Sequence, residues 1–360
     1  MAGTDRVEVT GTRQRQAWVD GVLPPVEQVR PGLSSIPVPI PNNPLRYVLV
    51  YAIELPDGVA IVDTGWPADV AWDALVSGLA EAGYAITDVR GILVTHHHPD
   101  HSGLANRVRQ ASGAWIGMHP REAWSMARLP DSASLARATR EWLVARGAPA
   151  DAAREVGEVP FDLADLAATK PDRLIEDGDV PLAPHVALRA VWTPGHTAGH
   201  LCFFDESAGL LLSGDHVLPR ISPNISLHTG TEGEQSHAYQ PSPANDALGD
   251  FLESLTLVGK LPVDEVLPAH EYRFRGLDAR VHQLQVHHEH RLAELLGLVV
   301  ANPDSTTWDL AERLSWSRPW AKLGRMRRAA VGETLAHLVL LYRRGQVTNA
   351  GRDVDSWRAA

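Results

Sequence analysis

The sequence predicts an α/β fold, with sheets that carry helices packed outside them. In the N-terminal third a hairpin, a helix and a strand follow one another, the order expected where helices cover a sheet. Farther on, short apolar strands repeatedly run out into Gly, His and Asp, which places polar chemistry at strand ends, where α/β layers usually keep it. The chain has 360 residues, 44% of them hydrophobic, enough for a main domain of about 200 to 250 residues and a smaller second one.

Residues 1–35 are mixed and are expected on the outside. Ile36 to Pro41 is held extended by its prolines and is excluded from a central strand. Asn42-Asn43-Pro44 reads as a turn. Tyr47 to Leu55 and Val59 to Val62 read as strands joined by Pro56-Asp57-Gly58, a hairpin signal. The second strand ends in Asp63-Thr64-Gly65, where Asp63 is either a turn residue or a carboxylate that buttresses a ligand histidine. Ala68, Val70, Leu75 and Leu79 have helical spacing over residues 68–82. Thr87-Asp88-Val89 then leads back into a buried strand over Gly91 to Val94.

That strand delivers Thr95-His96-His97-His98-Pro99-Asp100-His101, five potential metal ligands in one loop. His96 and His98 alternate along an extended backbone and can point the same way. Asp100 and His101 follow a proline-set turn and can serve a second ion. Imidazole and carboxylate together suit a borderline or hard divalent cation, although a polar loop would show the same residue types.

Ala114 to Met118 is a further strand, with His119 at its end as a minor pocket candidate, more readily structural. From Pro120 to about Lys170 the pattern is helical, through Trp124, Leu129, Leu135, Trp142, Leu143, Phe161, Leu163 and Leu166. The segment is long for a connection and reads either as a packing elaboration or as a cap. A cap would favour an apolar or acyl-bearing substrate. Val186 to Val191 delivers Trp192-Thr193-Pro194-Gly195-His196-Thr197-Ala198-Gly199-His200, where Gly195 lets His196 turn inward. Strands over Leu201 to Phe204 and Leu210 to Leu212 follow, the second ending in Ser213-Gly214-Asp215-His216. Val263 to Leu267 ends in Pro268-Ala269-His270-Glu271. Four separated strand ends therefore supply His and Asp.

These motifs together resemble the metallo-β-lactamase fold superfamily. His96-His97-His98-Pro99-Asp100-His101 matches its His-x-His-x-Asp-His signature, and Thr193 to His200 looks like the glyoxalase II-type second motif. Asp215 and His270 match the bridging carboxylate and the last histidine, and Asp63-Thr64-Gly65 resembles the first motif. The likeness covers roughly residues 45–272. It implies a four-layer αββα sandwich over 1–275, carrying a helical insert at about 120–170. A small C-terminal helical, winged-helix-like domain would follow over 276–360.

The resemblance further implies that His96, His98 and His196 hold a first metal and Asp100, His101 and His270 a second. Asp215 would bridge them and Asp63 would support a ligand. His200 and His216 take no ligand role in the family, and His97 points away. The cofactor implied is two divalent ions, with Zn2+ expected and iron or manganese as alternatives. With Asp215 present and no cysteine among the ligands, the site looks like the hydrolytic two-metal form rather than a penicillin-destroying enzyme. A metal-bridging hydroxide would attack an ester-like carbonyl, with a thioester or lactone favoured by the apolar insert. His96, His98, Asp100 and His101 form the expected catalytic set, with Asp100 orienting the nucleophile. The alternatives are a metal-dependent nuclease or phosphodiesterase and an iron-dependent, persulfide dioxygenase-like oxidoreductase.

In the loop over Val217 to Leu227, Arg220 is the single cation, either a surface residue or an anchor for a substrate anion. The stretch up to Pro243 is expected to be a mobile or irregular loop. Helices are expected over Asp246 to Val258 and over Arg280 to Leu296, the latter ended by Gly297. Others are expected from Thr306 and over Ala329 to Leu341, before a turn at Arg343 to Val347. His282, His287, His288 and His290 are expected to be solvated or capping. Arg318, Lys322, Arg325, Arg327 and Arg328 form a positive patch, but the net charge of -11 argues mildly against nucleic acid as partner, and a small-molecule, acyl-bearing substrate is expected instead from the hydrolase reading. Cys202 is the single cysteine, which excludes a disulfide framework and a cysteine-rich zinc site. With no signal segment and no bilayer-crossing run, the cytoplasm is the expected location.

Overall fold

The computed structural model describes residues 6–157, 164–227, 246–351 and 353–360. Phe161, Leu163 and the loop expected up to Pro243 lie outside the described residues. The chain divides into two compact units. Met1–Arg128, Ala164–Pro223 and Ser254–His282 form the first, and Leu129–Leu163, Asn224–Glu253 and Gln283–Ala360 form the second. The sequence reading divides the chain after residue 275 and assigns about 120–170 to the first domain; here 129–163 group with C-terminal residues instead.

The first unit opens with strand β1 (Glu8–Val9) and helix α1 (Thr12–Asp20). A seven-stranded sheet follows in the order β2 (Glu27–Arg30), β3 (Leu33–Pro39), β4 (Tyr47–Leu55), β5 (Gly58–Val62), β6 (Val89–Leu93), β7 (Trp115–Met118) and β8 (Arg173–Leu174). Its strands are antiparallel from β2 to β5 and parallel from β5 to β8. The second sheet holds β9 (Leu188–Trp192), β10 (Leu201–Asp205), β11 (Leu210–Gly214), β12 (Glu265–Pro268) and β13 (Phe274–Arg275) in the order β1-β13-β12-β11-β10-β9.

The two sheets share one core. Tyr47, Leu49, Tyr51 and Ile53 alternate along β4 and pack with Leu201, Phe203, Leu212 and Leu267 of the other sheet. The residues between them, Val48, Val50 and Ala52, are buried as well. Strands covered on both faces read as continuous apolar runs rather than alternating ones, which is why β4 and β5 were visible in the sequence. Helix α2 (Asp69–Glu81) covers the outer face of β3, with Gly78 so close that a Cβ there would stand 2.3 Å from a methyl of Ile36. The fold is the expected four-layer αββα sandwich.

The proline-rich segment departs from expectation. Residues 33–39 form β3, which lies between β2 and β4 rather than outside the sheet. The reason is in the register: β2 pairs only with Leu33 to Ser35, whereas β4 pairs along the whole strand, Pro37 with Leu49 and Pro39 with Tyr47. From Ile36 onward β3 is bonded on one side only, so prolines without an N–H are tolerated there.

Helices α3 (Pro99–Ser102), α4 (Ala105–Ser112) and α5 (Pro120–Met126) complete this part of the first unit. Of the expected insert, α6 (Ser132–Ala145) and α7 (Ala150–Val156) belong to the second unit and α8 (Ala164–Ala168) to the first. Helices α9 (Ala247–Val258), α10 (Leu277–Ala301), α11 (Thr307–Arg313) and α12 (Arg327–Arg343) follow. The antiparallel pair β14 (Val347–Asn349) and β15 (Trp357–Ala359) ends the chain. In the second unit Thr306 and Asp309 form a capping box on α11, and Trp357 is fully buried with its indole N–H donating to Thr307.

Two expectations for α10 need correction. Gly297 does not end it; the helix runs on to Ala301 because its apolar positions Leu292, Leu295 and Val299 stay buried across the glycine. An interior glycine costs only about 1 kcal/mol against alanine, less than burial of those side chains returns. His288 is neither solvated nor capping. It shares the buried face with Leu284 and Leu292, and its Nδ1 stands 3.2 Å from Nε2 of His337 on α12. Among the described residues, no helix is long and apolar enough to cross a membrane.

Candidate metal centre

Strands β6, β9, β11 and β12 end in the loops that carry the His and Asp residues expected from the sequence. The structure brings all seven together. Nε2 of His96, Nδ1 of His98 and Nε2 of His196 form a tight triangle, with separations of 2.9, 3.0 and 3.2 Å. Nε2 of His270 lies 3.5 Å from Asp100, and Nε2 of His101 lies 3.8 Å from it. Asp215 stands between the clusters: one oxygen is 3.5 Å from His196, and the other is 3.5 Å from His101 and 3.2 Å from His270. Three groups of donors close enough to hold an ion result: His96, His98 and His196; His96, His101 and Asp215; and Asp100, His101 and His270.

Outer partners set which ring nitrogen faces inward. Nδ1 of His101 donates to Asp63 at 2.8 Å, and Nδ1 of His270 donates to the carbonyl of Tyr47 at 2.8 Å. Each bond holds a proton on Nδ1, so Nε2 is the nitrogen that faces the cluster and becomes a donor to an ion when it gives up its proton. Those two atoms and Oδ1 of Asp215 are buried without a hydrogen-bond partner. Buried donors and acceptors left unpaired are costly, and three of them converging on one spot fit a divalent cation better than any hydrogen-bond network on the described residues.

The electrostatics divide the centre in two. Burial, reinforced by neighbouring imidazoles, pushes His96 and His98 well below the usual histidine range, so both are neutral ligands at pH 7. Burial also disfavours charge on His101, but Asp215, Asp63 and Asp100 outweigh it and push the ring up to about 10. His270 is raised in the same way, chiefly by Asp215. Burial works against the Asp215 carboxylate, yet His270, His101 and His196 hold it well below the ordinary range. Positive charge is thus excluded from the three-histidine side and drawn to the carboxylate side.

Asp63 is a buttress rather than a plain turn residue. Its oxygens accept from Thr95 N at 2.8 Å and from the Thr95 hydroxyl, as well as from His101. It occupies the left-handed region, φ 63°, where aspartate is among the tolerated residues. His200 and His216 are buried beside the cluster but belong to none of its donor groups; Nε2 of His200 accepts from Asp215 N at 3.1 Å. His97 is outside the cluster as expected, but it is not idle: its backbone N and its ring both bond to Glu122. His119 begins α5, accepts from Arg121 N and stacks on Trp192 with an interplanar angle of 4°. Arg220 donates through Nε and Nη2 to one oxygen of Glu271, at 3.0 and 2.8 Å, and keeps 58% of its side chain exposed. The loop that follows β12 is tied to β4 by four bonds. Leu49 N donates to the Ala269 carbonyl, His270 to the Tyr47 carbonyl, and the hydroxyls of Tyr51 and Tyr47 donate to the carbonyls of Pro268 and Glu271.

Sequence reasoning missed Glu122. It is fully buried, and although burial opposes its charge, the His97 ring and hydrogen bonds hold it below the ordinary carboxylate range. The one local signal was Pro120 at the first helical position with a glutamate two residues on, a common surface pattern that does not announce burial.

Several known proteins are similar to this chain. The lactamase-like protein nscB of Aspergillus fumigatus is 31% identical over 126 residues, 35% of this chain and 32% of that protein. The lactamase-like protein adaB of Aspergillus niger is 28% identical over 279 residues, 76% of this chain and 66% of that protein. A hydroxyacylglutathione hydrolase of Methylobacillus flagellatus is 27% identical over 202 residues, 56% of each. The chain spans about a third of the length of the nscB proteins it matches. Among solved structures, a metallo-beta-lactamase family protein from Thermus thermophilus superposes with a TM-score of 0.74 at 31% identity, over 92% of this chain and 100% of that one. A beta-lactamase domain protein from Burkholderia ambifaria gives a TM-score of 0.74 at 26% identity, over 93% of this chain and 94% of its own. The sequence profile of the metallo-beta-lactamase superfamily matches residues 43–270, the span that contains every member of the cluster. The chain belongs to the metallo-beta-lactamase superfamily.

Proposed function

We propose that this protein is a dinuclear metal-dependent hydrolase of ester-like carbonyls, with thioesters and lactones as its substrate class. The observation that carries the reading is the position of Asp215, whose two oxygens face opposite clusters, His196 on one side and His101 with His270 on the other. His96, His98 and His196 would hold one ion, Asp100, His101 and His270 the other, and Asp215 both. Two divalent ions, Zn2+ by the mixture of imidazole and carboxylate, would supply hydroxide near neutral pH and polarise the substrate carbonyl.

The chain's own residues do the rest. Asp63 and the Tyr47 carbonyl hold the Nδ1 protons of His101 and His270, so both rings would offer Nε2 to an ion that displaces its proton. Asp100, beside both rings, is the carboxylate that orients the attacking water and holds its proton. Asp215 keeps its charge against burial because three imidazoles face it. No cysteine lies in the cluster, in keeping with the hydrolytic form, and the likeness to a protein named hydroxyacylglutathione hydrolase supports an acyl-bearing substrate.

The test is metal content of protein purified without added metal, read with a panel of thioester, lactone, β-lactam and phosphodiester substrates. About two zinc ions per chain, with thioester or lactone turnover that chelator abolishes, is the expected result. One iron per chain, oxygen uptake and no hydrolysis would overturn the proposal.

A further inference from the structure

We infer that Glu122 is a positioning residue that locks together the two loops of the three-histidine cluster, an inference that rests on the metal-binding reading above. His96 and His98 lie on one loop and His196 on another, yet their nitrogens stand about 3 Å apart, so the two loops must be held in register for the three rings to share one ion. The described hydrogen bonds supply one carboxylate that joins both loops directly. Oε2 of Glu122 accepts from the backbone N of His97 at 2.7 Å and from its Nδ1 at 2.5 Å, 25 residues away along the chain. Oε1 accepts from Gly199 N at 2.6 Å, 77 residues away in the other direction. His97 is flanked by the two ligands of the first loop, and Gly199 follows the ligand of the second.

A buried carboxylate is costly unless each oxygen is partnered. Glu122 is fully buried, and both of its oxygens are used. An independent observation comes from Gly199. A Cβ there would stand 2.7 Å from Glu122 Oε1 and 2.7 Å from His119 Nδ1, a separation that side chains do not show. The second loop therefore approaches α5 this closely only because residue 199 is glycine. The same end of α5 is docked through His119, whose ring stacks on Trp192 at a centroid distance of 5.4 Å, where β9 runs into the His196 loop. Glu122 thus serves the three-histidine side as Asp63 serves His101 on the carboxylate side.

The test is Glu122→Gln, which keeps the shape but must turn its amide N–H2 either toward Gly199 N or toward the two donors of His97. Metal-free wild type and variant are titrated with Zn2+ against a chromophoric chelator, and the visible spectrum of the Co2+-loaded proteins is recorded. The expected result is a variant that keeps one ion at wild-type affinity and binds the other about 10- to 100-fold more weakly, with an altered Co2+ spectrum. Zn2+ isotherms that superimpose on wild type overturn the inference, however far the melting temperature falls, because a purely structural brace lowers stability alone. Gly199→Ala presses on the same contact without touching the carboxylate and is expected to weaken the same ion. Should Glu122→Gln not fold, Gly199→Ala decides by the same criterion. A wild type that takes up no divalent ion overturns the function proposed above together with this inference, whereas superimposed isotherms overturn the inference alone.

Discussion

Asp63→Asn separates the roles of charge and shape at the carboxylate side of the centre. Asparagine tolerates the left-handed backbone at this position, φ 63°, so the turn should survive. The amide oxygen can keep the bond from Thr95 N at 2.8 Å, which turns the amide N–H2 toward Nδ1 of His101. Nδ1 must then accept, which favours the ring with its one proton on Nε2, the atom that faces Asp100 and Asp215. The loss is one hydrogen bond to a charged group, about 1.5–3 kcal/mol, which corresponds to roughly 10- to 100-fold in affinity for the ion on that side. A Zn2+ titration should show one ion at wild-type affinity and the second weakened by that factor. The His101 proton provides a second reading. Its pKa, raised to about 10 with Asp63 among the causes, should fall in the metal-free variant, as followed by NMR. A raised folded-state pKa stabilises fully below about 6.5 and is lost as pH rises through the folded value. The variant should therefore lose its share of stability at lower pH than wild type does. Two ions bound at wild-type affinity, or equal weakening of both, would refute the reasoning.

Asp215→Ala removes the one carboxylate that faces both clusters and should lower kcat/KM by more than the roughly 100-fold that outer partners cost; steady-state kinetics with metal analysis of the same sample would check it. Phe203→Ala opens a cavity in the core between the two sheets, where Phe203 is fully buried, and should cost about 3–5 kcal/mol in urea unfolding. Burial pushes His288 to about 2 and His337 to about 4, so both are neutral when folded. Each depressed value means that the unfolded chain takes up the proton first, so stability falls as pH drops below about 6.5, by about 1 kcal/mol per histidine between pH 7 and 5.5. Unfolding curves at those two pH values should show a shallower acid decline for His337→Asn than for wild type.

The ligands were legible because a metal site repeats itself in the sequence: each strand end that brings His or Asp carries the same Gly or Pro punctuation, as at Gly195 and Pro268. Strands β4 and β5 were legible because burial on both faces leaves long apolar runs, unbroken in β4 until Glu54 near its end. What escaped were features set by contacts distant in sequence. Pro37 and Pro39 are compatible with a strand inside the sheet only because pairing with β2 stops at Ser35, a matter of register that no local pattern shows. Gly297 looked like a stop because the packing that carries α10 past it comes from outside the helix. Glu122 resembled any surface glutamate, since its burial depends on partners 25 and 77 residues away.

The bonds that tie the loop after β12 to β4 join residues more than 200 positions apart; the His270–Tyr47 contact spans 223. Both clusters likewise draw on the two sheets at once, with His96, His98, Asp100 and His101 following β6, and His196, Asp215 and His270 following strands of the other sheet. Neither half of the sandwich can assemble an ion site alone, so metal affinity is created only when the halves dock, the slow, long-range event of folding. By mass action, bound metal then weights the docked state. Metal supply would act here as a clamp on the lifetime of the folded protein, and chelation would expose the chain to proteolysis along the seam between its sheets.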